Sequence, residues 1–168
     1  MDLPSIARIL LDEAAPAARA EAALDAYGRT CSRWTGITPD AGFDAWDEDA
    51  FLDSGVAINP RSAAHCLTDY RRTVVYVRAV HAALTRLLSG TPGGVLRVLY
   101  AGCGPWATLL LPVLAGFPPD RLRVRLLDVH ASALDGVSRL VDRFGLEGYA
   151  IELLQADGRW DLRSRVNT

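Results

Sequence analysis

The stretch that decides the fold is VLRVLYAGCGPWA, residues 95–107. Its first half, Val95 to Tyr100, is rich in apolar and β-branched residues and is typical of a buried strand. The glycines of the turn that follows, residues 101–104, let the backbone bend tightly and let a ligand approach the main chain. Pro105 suits the first position of a helix, because the N–H that it lacks would have no partner there. We therefore expect a strand, a glycine turn and a helix from Pro105 to about Gly116, whose free amides favour an acceptor or an anion.

Two more strands are predicted downstream, at residues 122–129 and 150–156, with a helix between them from near Ser132 to Phe144 that Gly145 ends. The β-α-β-α-β order predicts a parallel sheet with right-handed crossovers. In these two strands charged residues alternate with apolar ones, which indicates that one face of the sheet is wetter than the other. The strand ends meet at one edge, so Asp128 and Asp157 should lie beside the glycine turn. A carboxylate at this edge can accept hydrogen bonds from both hydroxyls of a ribose.

The chain divides at the glycine- and proline-rich residues 90–94, into a helical region over residues 1–90 and a sheet region over residues 91–168. Short apolar and longer amphipathic helices are predicted over residues 6–11 and 17–34. A third helix should begin at Pro60, capped by Asn59. Two adjoining apolar rows predict that it buries a wide face as far as Gly90; they are Leu67, Tyr70, Val74, Val77, His81, Leu84 and Leu88, and Tyr76, Val80, Ala83 and Leu87. Residues 40–53 carry six carboxylates, and we interpret them as a short helix with a solvated acidic face rather than as a surface for a basic partner.

Composition excludes several classes of function. A chain of 168 residues with 50% hydrophobic residues and a net charge of −2 gives no electrostatic basis for binding nucleic acid. Every one of its 18 basic residues is arginine, which excludes a Schiff-base lysine and a P-loop lysine. No apolar run is long enough to span a membrane and no signal peptide is recognisable, so we expect a cytoplasmic protein. Its three cysteines have no CxxC spacing, which favours reduced thiols, and we assign no metal site.

From Leu96 to about Gly158 the sequence resembles the class I S-adenosylmethionine-dependent methyltransferases. Residues 100–105, YAGCGP, resemble the first motif of that family, residues 126–129, LLDV, its second, and residues 155–158, QADG, its third. The resemblance implies an α/β fold with a Rossmann-like parallel sheet, of which this chain matches the first three of seven strands, and a helical N-terminal cap. It also implies S-adenosylmethionine as the cofactor. The cofactor-binding residues that it implies are Tyr100, Ala101, Gly102, Cys103, Gly104, Asp128, Val129, Asp157 and Gly158.

The resemblance implies a role for five of these residues. Gly102 and Gly104 would approach the methionine part of the cofactor, Asp128 would hold the ribose, and Asp157 would lie at the exocyclic amine of the adenine, with Gly158 beside it. Tyr100 stands where the family usually has an acidic residue. The expected function is methyl transfer to a small molecule or a peptide, and no residue is assigned a catalytic role.

Two alternatives stay open. One is a non-catalytic, methyltransferase-like partner subunit or scaffold. The other is an NAD(P)-binding oxidoreductase, because residues 102–107, GCGPWA, satisfy the G-x-G-x-x-G/A pattern and Asp128 lies near the expected distance. We further expect the strand at residues 95–100 to be an unpaired edge, which favours a homodimer or a partner subunit that supplies the missing strands.

For four other residues or short segments the sequence favours a structural role over a functional one. His81 and the pair His65-Cys66 are interpreted as structural. Tyr70-Arg71-Arg72 could face the mouth of the cofactor site or a substrate carboxylate, although a solvated helix face is the simpler interpretation. Cys103 is expected to be a small residue that presents its backbone rather than a reactive thiol.

Overall fold

The computed structural model describes residues 1–39, 49–53 and 55–157. Six helices and five strands are found in that part of the chain. In order they are α1 (Leu3–Leu11), α2 (Ala17–Thr35), β1 (Ala50–Leu52), β2 (Gly55–Ala57), α3 (Pro60–His65), α4 (Tyr70–Ser89), β3 (Leu96–Ala101), α5 (Leu111–Leu114), β4 (Leu122–Asp128), α6 (Ala131–Arg143) and β5 (Ala150–Gln155), with 3₁₀ turns at Cys66–Thr68 and Pro119–Arg121.

The predicted parallel sheet is confirmed. Its strands lie in the order β3-β4-β5, and both neighbouring pairs are parallel. β3 pairs with β4 from Leu96 opposite Leu122 to Ala101 opposite Leu127. β3 and the first residues of β4 and β5 alternate in burial, because successive side chains point to opposite faces of a sheet. The protein is therefore of the mixed α/β class.

The outer face of the sheet is the wetter one, as the alternation of charges predicts. On β4 the side chains of Leu122, Val124 and Leu126 are buried, whereas Arg123 is exposed. Arg125 lies opposite Glu152 of β5, and its Nε donates to Oε2 of that carboxylate at 2.6 Å. The helices pack on the other face, where a single core cluster combines α1 and α2 with β4 and α6. Trp34 and Tyr27 of α2 both contact the ring of Phe144, which follows α6.

The helix predicted from Pro60 to Gly90 is interrupted, and it buries less than expected. Asn59 caps α3 as predicted, but the chain leaves the α-conformation at Cys66–Thr68. It starts again at Tyr70, where the side chain of Asp69 accepts from the backbone N–H of Arg72. Asp69 interrupts the helix because a short carboxylate competes for backbone N–H groups more effectively at a cap than inside a helix.

In the second apolar row of α4, Val80 packs against the core and the other three residues lie outside it. Tyr76 is 52% exposed and Leu87 is 51% exposed, and Ala83 is exposed as well. The prediction of a wide buried face was therefore wrong. α4 packs against α1, α2 and α5 mainly through its first apolar row, in which Val77 and Leu84 are buried and the row's other residues in α4 are partly buried.

The acidic segment does not form the predicted helix where it is described. Ala50–Leu52 pairs with Gly55–Ala57 as a short antiparallel hairpin, and residues 40–48 lie outside the described residues. The Asp49 carboxylate fixes the hairpin to α3, because it accepts from both the backbone N–H and the side-chain amide of Asn59, at 2.6 and 2.9 Å. No helix in the described part of the chain is both long enough and apolar enough to cross a membrane.

Candidate functional site

The glycine turn after β3 has the conformation that its sequence predicts. Gly102 and Gly104 have φ angles of +64° and +63°, in the left-handed region that side chains with a Cβ rarely adopt. A Cβ at Gly102 would meet no atom within 4 Å, and one at Gly104 would meet only the Cβ of Ala63, at 3.5 Å. Gly102 therefore borders open space that a ligand can fill, whereas Gly104 lies within van der Waals reach of α3.

The helix predicted from Pro105 is absent, which corrects one part of the expected site. α5 begins only at Leu111, and Ala107 interrupts the intervening backbone with a φ of +41°. Trp106 explains this path. Its side chain is 1% exposed, its indole N–H donates to Oγ1 of Thr35 at 3.3 Å, and its carbonyl accepts from the hydroxyl of Tyr27 at 2.6 Å. Burial of the indole against α2 outweighs the helical preference of a proline, so no helix begins directly after the turn.

Asp128, the last residue of β4, joins the turn to the neighbouring strand. Its Oδ2 accepts from the backbone N–H of Gly104 at 2.9 Å. Its Oδ1 accepts from the backbone N–H of His130 at 3.0 Å and lies 3.2 Å from Nδ1 of the same residue. The side chain is nine-tenths buried, so these contacts replace most of the water that a carboxylate would otherwise bind.

These contacts leave Asp128 limited capacity for a ligand. An ionised carboxylate offers about four lone-pair positions. The backbone N–H of His130 bonds Oδ1, which Nδ1 of the same residue also contacts, and the N–H of Gly104 bonds Oδ2. One position on Oδ2 remains, so the carboxylate can accept one ligand hydroxyl without displacing either partner. Sequence reasoning, which assigned both hydroxyls of a ribose to Asp128, could not detect this competition.

A cavity of about 660 Å³ opens over the turn. This volume lies within the range of roughly 300–1,000 Å³ that is typical of small-molecule sites. One wall is formed by the turn and the ends of β4 and β5. The opposite wall, which we call the hairpin wall, belongs to the β1–β2 hairpin and to the segment from α3 to the first turns of α4. The residues of the hairpin wall are Leu52, Val56, Ala57, Ile58, Ala63, Ala64, Cys66, Leu67, Arg72, Thr73 and Tyr76.

Most of the residues implied by the family resemblance line one wall of this cavity. They are Tyr100, Ala101, Gly102, Cys103, Gly104, Asp128 and Val129. Near the end of β5 the lining residue is Ala156 rather than Asp157, which is partly buried beside it. Gly158 lies outside the described residues.

Sequence reasoning missed most of the hairpin wall. Strands of three residues produce too short a pattern to be recognised, and the segment around Cys66 was interpreted as the inside of a helix. The available signal was Tyr70-Arg71-Arg72, for which the mouth of the site was one of two interpretations. Arg72 does line the cavity, whereas the hydroxyl of Tyr70 bonds the carboxylate of Asp25.

The protonation of the buried acids limits the chemistry of the site. Burial raises the pKa of the Cys103 thiol to about 12, and the carboxylate of Asp128 adds to the shift. Burial also raises the pKa of Tyr100 well above its ordinary value. Both groups therefore stay neutral at physiological pH, which agrees with the expectation that Cys103 is not a reactive thiol.

The remaining polar groups give no metal centre. Among the residues described by the structure, no group of three histidine, cysteine or acidic side chains could hold a metal ion.

Nε2 of His130 is buried and has no hydrogen-bond partner, while Nδ1 of the same ring faces Asp128. The ring therefore positions the carboxylate.

No family model, curated protein or solved structure matches this chain. A function has to be inferred from the site itself.

Proposed function

We propose that the chain binds S-adenosylmethionine in the cavity over the glycine turn, and that it acts as a methyltransferase, or as the cofactor-binding part of one, on a small molecule or a peptide. The observation that carries this proposal is the contact between Gly104 and Asp128, which joins a turn with two left-handed glycines to a strand-end carboxylate at the mouth of a ligand-sized cavity. The same arrangement supports a Rossmann-like interpretation of the sheet.

The residues present fit the cofactor. Gly102 leaves open the space that a side chain would fill, and both Gly102 and Gly104 line the cavity, so the main chain is accessible to a ligand. Asp128 retains one acceptor position, which suits a ribose hydroxyl. When bound, S-adenosylmethionine would supply a methyl group activated by its sulfonium, so the chain's main task would be to position the acceptor in line with it.

The absence of a helix at the turn favours this cofactor over a dinucleotide. A dinucleotide places its pyrophosphate on the amides and the positive dipole end of a helix that begins in the glycine turn. In this chain α5 begins at Leu111, and the buried side chain of Trp106 follows the turn. S-adenosylmethionine carries no phosphate and does not need such a helix end.

Neither Tyr100 nor Cys103 can serve as a general base near neutral pH, because burial holds both groups protonated. A non-catalytic partner subunit remains the alternative, and it predicts cofactor binding without methyl transfer.

The test is calorimetric titration of the whole chain with S-adenosylhomocysteine and, separately, with NAD. We expect saturable binding of S-adenosylhomocysteine and no heat with NAD. Asp128→Asn should weaken the binding at least tenfold, on the order of the 1.4 kcal/mol or more of one charge-assisted hydrogen bond. Asp135→Asn is the matched control, because Asp135 is an exposed carboxylate on α6. Binding of NAD alone, or equal effects of the two variants, would overturn the proposal.

A further inference from the structure

The hairpin wall of the cavity leaves large apolar side chains in water. Val56 is 53% exposed, and Ile58 and Tyr76 are exposed to a similar degree, although all three line the cavity. Leu52 and Leu67 continue the apolar surface into the cavity. Exposed apolar side chains that cluster at the mouth of a concave site are typical of a surface that a ligand covers.

Among the described residues of the hairpin wall, Arg72 is the one with a charged side chain. Its guanidinium contacts Oδ2 of Asp69 at 3.5 Å and the carbonyl of Cys66 at 3.4 Å. Both distances are long, and the Arg72 and Asp69 side chains are about half exposed, so this ion pair holds Arg72 only weakly. A guanidinium has five N–H donors in a planar fork, so Arg72 retains donors for an anion.

The carboxylate on the opposite wall forms no ion pair with this guanidinium. Asp128 is buried, and it accepts from the backbone N–H groups of Gly104 and His130. The two walls therefore offer different chemistry. The turn wall has exposed main chain and one spare acceptor, whereas the hairpin wall has apolar surface and a cation.

We propose that the hairpin wall is a second subsite of the cavity, which takes a small molecule with an apolar body, aromatic or aliphatic, and one anionic group bound by Arg72. Val56 and Ile58 cover the apolar body, and the fork of Arg72 pairs with a carboxylate or a sulfonate. Within the proposed function, on which this role rests, the ligand of the subsite is the methyl acceptor.

The probes for the test are two fluorescent compounds with the same rings, anilinonaphthalene sulfonate and the uncharged phenylnaphthylamine. We expect the chain to bind the sulfonate more tightly. Arg72→Gln should weaken binding of the sulfonate by about twofold to fivefold, as expected for a half-exposed charge pair, and should leave the neutral probe unchanged. Arg71→Gln is the matched control, because this neighbouring arginine is exposed and does not line the cavity. Val56→Ser should weaken both probes, because it removes apolar contact alone.

Saturation with S-adenosylhomocysteine separates this inference from the proposed function. We expect the sulfonate to bind the saturated chain, and Arg72→Gln to leave the affinity for S-adenosylhomocysteine unchanged. Competition between the two ligands, or weaker binding of S-adenosylhomocysteine to Arg72→Gln, would assign Arg72 to the cofactor and overturn the inference. Equal losses in Arg72→Gln and Arg71→Gln, or no binding of the sulfonate, would also overturn it. Failure of S-adenosylhomocysteine to bind, with probe discrimination retained, would refute the proposed function and leave the subsite standing.

Discussion

Replacing Asp128 by alanine should destabilise the protein as well as weaken its cofactor site. The substitution leaves the backbone N–H groups of Gly104 and His130 without their acceptor, and Nδ1 of His130 loses its contact. Hydrogen bonds to a charged acceptor contribute roughly 1.5–3 kcal/mol each, and water in the cavity replaces part of the loss. We therefore expect the free energy of unfolding to fall by about 2–4 kcal/mol.

Urea unfolding followed by circular dichroism measures this loss, with the m-value as the check that the exposed area is unchanged. Asp135→Ala is the control, since this carboxylate is exposed on α6, and it should change the free energy of unfolding by less than about 0.5 kcal/mol. If Asp128→Ala is as stable as the control, the carboxylate does not hold the turn, and our account of the site is wrong.

Three further predictions follow from the turn, its thiol and the edge of the sheet. Gly104→Val should abolish binding of S-adenosylhomocysteine in calorimetry, whereas Cys103→Ala should largely retain it, because a β-branched residue at a φ of +63° costs roughly 1–2 kcal/mol and fills ligand space. A larger loss of binding in Cys103→Ala than in Gly104→Val would show a direct role for the thiol. The free energy of unfolding should fall between about pH 9 and 12, because burial raises the pKa of the Cys103 thiol to about 12 in the folded state. The fall should be shallower in Cys103→Ala, and identical pH profiles would contradict this. Among the described residues β3 pairs only with β4, so its other edge is open for association. Light scattering at micromolar concentration should show a dimer that Leu99→Lys dissociates, and a monomer at every concentration would argue against association through this edge.

The sheet could be predicted from the sequence because its information is local. Runs of apolar residues bounded by glycine and polar residues located all three parallel strands to within about a residue. The left-handed glycines were predictable for the same reason, since the tight turn between Tyr100 and Pro105 requires them. The alternation of Arg123 and Arg125 with leucine and valine indicated which face of β4 meets water.

The surroundings of the turn could not be predicted, because distant residues determine them. Pro105 favours a helix locally, but the hydroxyl of Tyr27, 79 residues earlier in the chain, holds the carbonyl of Trp106. The hairpin wall depends in the same way on Asp49 and Asn59, whose contact orients strands that are too short to be recognised alone. Apolar periodicity also overestimated the buried face of α4, since it cannot show whether a neighbour covers Tyr76.

Trp106 belongs both to the site and to the packing of α2, and this double membership couples the two thermodynamically. Any ligand that holds residues 102–106 in place also favours the docked state of the Tyr27 hydroxyl and the Thr35 side chain. By linkage, ligand binding must then lower the equilibrium population of molecules in which α2 has opened away from the core. Backbone amides of α2 that contact no ligand should consequently exchange their hydrogens more slowly in the complex, so the first half of the chain would report on occupancy of a site built largely in the second.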